Sequence, residues 1–253
     1  MERLAGGNVT PVTRVGDAVH RAAGPWTDTV HALLRHVRAR GIGFVPEPRG
    51  RDAEGREVLA FLPGDVHGYP LPAWMWDDAV LVAAATLLRR LHDATAGFTS
   101  PGERWRLPPR EPRDVICHND FAPHNLVFRG REPWAVIDFD AAAPGPRAWD
   151  LAYTAHRMVP LTAPGNPDTP PAPDGERARR LALLCDAYGA GIAPAEVLAV
   201  APERLDALRA FTAAHAEAGG AAELRRHAAW YAKDAEYVRS DPLPEVVSPS
   251  DTT

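Results

Sequence analysis

Val115–Asp140 reads VICHNDFAPHNLVFRGREPWAVIDFD, and its alternation of apolar and polar blocks decides how the rest of the chain is read. An apolar strand, Val115-Ile116-Cys117, runs into the polar loop His118-Asn119-Asp120-Phe121-Ala122-Pro123-His124-Asn125. Two further apolar segments, Leu126–Phe128 and Trp134–Ile137, form a predicted hairpin that ends in Asp138-Phe139-Asp140. Short strands thus deliver His118, Asp120, Asn125 and Asp138 to one end of a hairpin. Oxygen donors gathered in this way suit a divalent metal and a polyphosphate.

The chain around this stretch is of ordinary globular composition. Its 253 residues are 45% hydrophobic and 24% charged, enough for one large domain or two small lobes. A net charge of −5 argues against nucleic acid or an anionic membrane as partner. No window is apolar for the roughly 18 residues that a spanning helix needs. The start, MERLAGGNVTP, has neither the basic nor the apolar region of a signal peptide, so a cytoplasmic protein is expected. Two cysteines, Cys117 in a core strand and Cys185 on a helix, make no disulfide framework. Lys233 is the only lysine.

Upstream, residues 1–63 read as a small sheet with one helix. Val12–Val15 and Ala18–Arg21 flank Gly16-Asp17, a two-residue hairpin signal. Pro25 and Thr27 open a helix whose Val30, Leu33, Leu34 and Val37 share a face, and which stops near Gly41. Phe44-Val45 and Glu57–Leu62 read as two more strands across a polar turn, Arg49–Gly55. Pro63-Gly64-Asp65 breaks the pattern and sets the lobe boundary, with a second lobe over residues 64–239. Asp77–Thr95 is strongly amphipathic and helical, and Pro101–Pro112 is a loop. Pro146 and Arg147 open another helix. Pro160–Gly175, with six prolines in sixteen positions, excludes helix. Three helices close the chain, over Glu176–Tyr188, Pro194–Ala218 and Ala221–Arg239, and a proline-bearing tail over residues 240–253 is expected to be disordered. The acids of these helices, Glu217, Glu223, Asp234 and Glu236, suit the lining of a pocket for a cationic substrate but read more simply as a solvated face.

Phosphoryl transfer asks a protein chiefly for positioning and charge neutralisation. Asp138 suits a charged ligand between metal and phosphates, and Asn125 a neutral oxygen ligand to the same ion. Asp120 is placed to orient an acceptor hydroxyl and take its proton. His118 reads as a strut that hydrogen-bonds loop backbone, His124 as a solvated loop residue, and Phe139 as packing beneath the loop. Asp140 reads either as a further support of the metal or, by a slight preference, as a cap of the following turn.

His118-x-Asp120-x4-Asn125, followed after twelve residues by Asp138-Phe139-Asp140, resembles the catalytic and metal-binding motifs of the aminoglycoside phosphotransferase and choline kinase family. LRRLHDAT (Leu88–Thr95) is similar to the family's helix before the catalytic loop, and RAWDLA (Arg147–Ala152) to its segment after the metal aspartate. The resemblance implies an α+β, bilobal, protein-kinase-like fold with a small antiparallel-sheet N-lobe and a mostly helical C-lobe. It implies Asp120 as catalytic base, Asn125 and Asp138 as Mg²⁺ ligands, and Asp150 as a buttress of the catalytic loop. ATP or GTP is the implied phosphate donor, its base near Phe61, Leu62 and Gly64 and above Leu126 and Ile137. A hydroxylated small molecule is the implied acceptor.

The first lobe departs from the pattern. Arg21 stands where kinases carry a strand lysine, so a phosphate contact from Arg21 is expected, but arginine is not a neutral replacement. The helix from Thr27 offers no glutamate to pair with it, and the glycine-rich loop is reduced to Gly6-Gly7. Two other functions fit parts of the pattern. A kinase-like binding or immunity protein without turnover is consistent with the missing lysine–glutamate pair, although the complete set Asp120, Asn125, Asp138 opposes it. A zinc- or iron-dependent hydrolase built on His118, Asp120, His124 and Asp138 has suitable ligand types, but the flanking motifs make its histidines incidental.

Overall fold

The computed structural model describes residues 2–4, 12–170, 172, 173, 175–219, 222–240 and 243. Gly6-Gly7 and, Leu243 apart, the tail beyond Ser240 lie outside them. The chain divides by its contacts into two compact units, Met1–Arg147 and Ala148–Thr253. The boundary read from the sequence at Pro63-Gly64 falls inside the first.

The first unit opens with an antiparallel sheet of β1 (Glu2–Leu4), β2 (Val12–Val15), β3 (Ala18–Arg21), β4 (Pro48–Arg51) and β5 (Glu57–Ala60), in the order β1-β2-β3-β5-β4. Gly16 supplies the positive φ, +63°, that a two-residue turn between β2 and β3 requires. The fourth strand is not where the sequence suggested. Phe44 and Val45 are buried but unpaired as a strand, and the polar run Pro-Arg-Gly-Arg pairs instead as an edge. Phe44 spends its backbone elsewhere: its carbonyl accepts the N–H of Val136 at 2.9 Å. Hydrophobicity marked the core here, and backbone pairing followed a different set of residues.

Helix α1 (Thr27–Ala39) buries Val30, Leu33, Leu34 and Val37, the stripe expected from its spacing. Helix α2 (Asp78–Thr95) buries Val80, Ala84, Leu87, Leu88 and Leu91 in the same manner. Burying a leucine side chain contributes about 1.5–3 kcal/mol, so each stripe fixes its helix far more strongly than helix propensity does. β6 (Val115–Cys117) and β9 (Ala143–Gly145) then pair as an antiparallel ribbon, and β7 (Leu126–Arg129) and β8 (Glu132–Val136) as a hairpin. The loop between β6 and β7 and the turn between β8 and β9 carry the polar residues singled out above.

The second unit is helical. It follows from α3 (Arg147–Met158) through α4 (Glu176–Tyr188) and α5 (Pro194–Gly219) to α6 (Ala222–Ser240). Residues 160–170 contain no helix. Among the described residues no helix is long and apolar enough to cross a membrane, and Cys117 and Cys185 are buried and form no disulfide. Small antiparallel sheets followed by helices make this an α+β chain.

One acid of the closing helices is not on a solvated face. Asp234 has no exposed surface and accepts hydrogen bonds from His156 Nε2 (2.8 Å), the Ala163 N–H (2.8 Å) and Asn166 Nδ2 (2.9 Å). It ties the proline-rich segment to α3 and α6, a use that helical spacing does not reveal. Burial holds His156 below the usual histidine pKa; Asp234 opposes this, while Arg157 and Arg204 add to it. The sign follows directly. As pH falls through about 6.5 the unfolded chain takes up a proton that folded His156 refuses, so stability drops, by at most about 1.4 kcal/mol per pH unit from this group. Urea denaturation between pH 7.5 and 5 should therefore show a shallower acid loss in His156→Gln than in the unsubstituted protein. Parallel slopes would refute the assignment.

Candidate active site

The loop after β6 is built on its histidine. His118 Nε2 lies 2.9 Å from the Ile137 carbonyl, which can only accept, so this nitrogen carries the proton. The other ring nitrogen then accepts the Asp120 N–H at 3.2 Å. One buried side chain thereby fastens the loop to the end of β8. The ring also meets Phe139 edge-on at 4.7 Å, with Phe139 buried beneath it. Asn119, at φ +62°, adds a second tie through Nδ2 to the Ala141 carbonyl at 3.0 Å. A left-handed backbone is uncommon outside glycine, and asparagine is among the residues that tolerate it.

This scaffold presents three groups. Asn125 donates Nδ2 to both the carbonyl and the Oδ2 of Asp120, at 2.9 and 2.8 Å. Its side-chain oxygen receives no hydrogen bond among the described residues, which leaves it available as a neutral ligand. Asp120 itself is one-third exposed and therefore reachable, with His124 Nε2 3.5 Å from Oδ1. Ile137 N–H bonds to the Asn125 carbonyl at 3.0 Å, so the hairpin register sets Asp138 beside Asn125. Asp138 is itself left-handed, at φ +62°, and its side chain is 46% exposed. Strain of this kind, about 1–3 kcal/mol per residue, persists where the surroundings enforce it.

The sheet adds a cation. Arg21, at the end of β3, is buried and reaches three carboxylates: Glu57 Oε2 through Nε (2.5 Å), Asp138 Oδ1 through Nη1 (2.8 Å) and Asp140 Oδ1 through Nη2 (2.6 Å). Glu57 lies directly across from it on β5 and is 1% exposed. The helix that lacks a glutamate contributes His31 instead, whose Nε2 lies 2.9 Å from Glu57 Oε1. The ion pair that the sequence lacked is thus present in another form, with the acid on a strand and the helix attached through a histidine. Neither Glu57 nor His31 was singled out from the sequence. The signal available was cross-strand pairing on β3 and β5, visible only once the strand register is known. Asp140 does not cap its turn; its carboxylate serves Arg21, with Arg106 Nη1 at 3.9 Å on its other side.

The electrostatics follow from one guanidinium facing three acids. Burial lowers the pKa of Arg21, but Asp138, Asp140 and Glu57 outweigh it and hold the charge in place. For Glu57 burial works upward, and His31 and Arg21 together bring it below the usual carboxylate range. Asp140 ends above that range: burial raises it, the neighbouring Asp138 and Glu57 add to this, and a shared Arg21 offsets only part. The cluster keeps excess negative charge, as a cation site should. Hard oxygen donors at Asn125 and Asp138 fit Mg²⁺.

The remaining residues expected at the site are distributed as follows. Phe61 and Leu62 are half-buried, and the Arg14 guanidinium lies 3.8 Å over the Phe61 ring. Gly64 adopts φ +149°, and a Cβ there would fall 2.4 Å from the Phe128 carbonyl, so no larger residue fits. The next residue, Asp65, exchanges two backbone hydrogen bonds with Phe128, at 2.9 and 2.8 Å. The segment 61–65 is therefore docked on the hairpin that bears Leu126 and Ile137. Leu126 has no exposed surface, whereas Ile137 is partly exposed. Asp150 is fully buried on α3. A cavity of about 410 Å³ opens beside Ala79, Ala83 and Arg131, and none of the site carboxylates lines it.

Residues 102–193 match the phosphotransferase enzyme family. That span includes the loop from His118 to Asn125 and the aspartates at 138 and 140. The chain is also 41% identical over 149 residues to the trifolitoxin immunity protein of Rhizobium leguminosarum bv. trifolii, covering 56% of this chain and 55% of that protein. It thus spans about half the length of that curated relative. Among solved structures, a choline/ethanolamine kinase family protein from Mesorhizobium loti superposes with a TM-score of 0.65 at 18% identity, over 97% of this chain and 89% of the other. Amicoumacin kinase hAmiN, in complex with AMP-PNP, Ca²⁺ and Ami, gives a TM-score of 0.67 at 15% identity, over 93% and 87%. The fold is that of the kinase-like phosphotransferases, and the sequence resemblance to them holds.

Removing Glu57 should test the cluster's place in folding. Glu57→Ala leaves Arg21 and His31 buried without their common partner and is expected to cost about 3–5 kcal/mol. Glu57→Gln, which keeps the shape, should cost less. Equal midpoints for Glu57→Ala and the unsubstituted protein in chemical denaturation would show that the pair is dispensable.

Proposed function

We propose that this protein is a two-lobed, nucleotide- and Mg²⁺-dependent phosphotransferase that acts on a hydroxyl of a small molecule. The observation that carries the reading is the joint placement of Asp120, Asn125 and Asp138 on one hydrogen-bonded loop-and-hairpin scaffold. In this reading Asn125 and Asp138 would hold the ion, which would supply charge neutralisation for the transferring phosphate. Asp120 orients the acceptor hydroxyl and takes its proton as the acceptor oxygen bonds to the γ-phosphorus and the bond from that phosphorus to the bridging oxygen breaks, releasing the nucleoside diphosphate. The orientation of Asp120 is set by the Asn125 amide on Oδ2. Arg21 has five N–H groups, three of which are directed at carboxylates, so one on each terminal nitrogen is left for phosphate oxygens. Phe61, Leu62 and Gly64 border the nucleotide base, with Ile137 and, behind it, Leu126 as floor. His118 and Asp150 are structural supports. ATP and GTP are both compatible donors, and the cytosol, where they are abundant, is the proposed compartment. The acceptor class is an antibiotic, an amino alcohol or a sugar-like compound.

A second reading has a specific observation behind it. The 41% identity to an immunity protein supports a kinase-like protein that binds its target without turnover. The first reading is preferred because the rewired pair Arg21–Glu57 removes the main reason to regard the nucleotide lobe as degenerate.

Thermal shifts with ATP or GTP and Mg²⁺ test the nucleotide site without knowledge of the acceptor. Nucleotide at 100 times its Kd adds about 2.7 kcal/mol to apparent stability. Asp138→Ala should abolish that shift. Asp120→Ala should retain it while phosphate transfer or nucleotide hydrolysis falls by two or more orders of magnitude, within the usual range for a general base. A shift in all three proteins with equal, near-zero turnover would favour the binding protein.

A further inference from the structure

We infer that Arg21 is the resident counter-cation of the Asp138–Asp140 pair, anchored through Glu57, and that a divalent metal must compete with it for those carboxylates. The inference rests on the reading of Asp138 as a metal ligand and adds a state of that site. Three nitrogens of one guanidinium are directed at three separate acids. The two halves of this arrangement differ in how easily they part. Glu57 is 1% exposed and is held from the other side by His31, so releasing Nε would strand a buried carboxylate. Asp138 is 46% exposed, and water can replace a terminal N–H there. The guanidinium is therefore fixed at its Nε edge and free to let go at its Nη edge.

Each carboxylate of the pair has one oxygen committed to Arg21, Oδ1 in both cases. Asp138 Oδ2 receives no hydrogen bond among the described residues, whereas Asp140 Oδ2 faces Arg106. In the resting protein the site accordingly offers a metal one free oxygen of Asp138 and the side-chain oxygen of Asn125, in a field that Arg21 partly neutralises. Phosphate oxygens reverse this, because they give the Nη groups an alternative acceptor and release Asp138. Metal alone should bind weakly, and metal with polyphosphate well. A lysine, with a single nitrogen, could not bridge both aspartates while holding Glu57; the device is specific to arginine.

Mn²⁺ binding without nucleotide, measured by electron paramagnetic resonance titration, tests the competition. The variant carrying Arg21→Gln together with Glu57→Gln removes one positive and one negative charge, so the net charge is unchanged and a gain in affinity reports the freed carboxylates. It should bind Mn²⁺ at least fivefold more tightly, and Asp138→Asn should abolish binding in both backgrounds. Arg21→Lys, which keeps a cation for Glu57, should give a smaller gain and serves if the double variant does not fold. Equal affinity across these proteins, with binding still lost in Asp138→Asn, would overturn the competition and leave the metal site standing. Binding that ignores Asp138→Asn, or no binding to any variant, would overturn both.

Discussion

A buried guanidinium among carboxylates is the constraint on which the first unit depends. Charges removed from water cost several kcal/mol each unless they are paired in good geometry. Glu57 is 1% exposed, so β3 and β5 can associate only in the register that sets Arg21 opposite it. A slip of one residue would turn Arg21 to the other face of the sheet and leave Glu57 alone. The same contact carries information across the unit. His31 attaches α1 to Glu57, and the terminal nitrogens of Arg21 reach the turn after β8. Sheet, helix and hairpin are thus joined at one side chain.

The rest of the site is held by backbone bonds. His118 and Asn119 reach from the loop after β6 to the segment around Asp138, and Ile137 returns a bond to Asn125. Two left-handed residues, Asn119 and Asp138, sit at the two ends of this mutual clamp. Such conformations are retained where several contacts over-determine them. The result is order without a ligand: Asp120 and Asn125 are already oriented toward one another by hydrogen bonds, which on the proposed reading would lower the cost of assembling the reacting geometry.

Much of this was legible in the chain because local rules coincided with the fold. The hairpin at Gly16-Asp17, the stripe Val30–Val37 and the proline-rich break after Met158 are each fixed by neighbours within a few residues. Spacing alone also brought His118, Asp120, Asn125 and Asp138 into one group. The failures share a cause. Phe44-Val45 look like a strand because they are apolar, yet their burial is satisfied by packing, and the edge strand falls on Pro48–Arg51. Asp234 looks solvated because it lies between the exposed charges Lys233 and Glu236, yet it pairs with His156, 78 positions earlier. In the sequence Glu57 is merely the start of a strand. In each case the deciding partner is distant in sequence, and no periodicity encodes it.

These long-range pairs bear on how kinase-like chains should be judged. From sequence alone, a missing strand lysine and helix glutamate suggest that the phosphate-binding cation is lost. What the proposed chemistry would need is a fixed cation near the carboxylates that hold the metal, and Arg21 stands there. Here the acid has moved to the neighbouring strand, and arginine's three nitrogens reach acids that a lysine could not hold together. On the proposed reading the rearrangement bears on the resting state, since the guanidinium that would meet phosphate occupies the carboxylates that would hold the metal. On that reading, turnover would require Asp138 to exchange one cation for another. Its exposed carboxylate, beside a deeply buried Glu57, is arranged to make that exchange local.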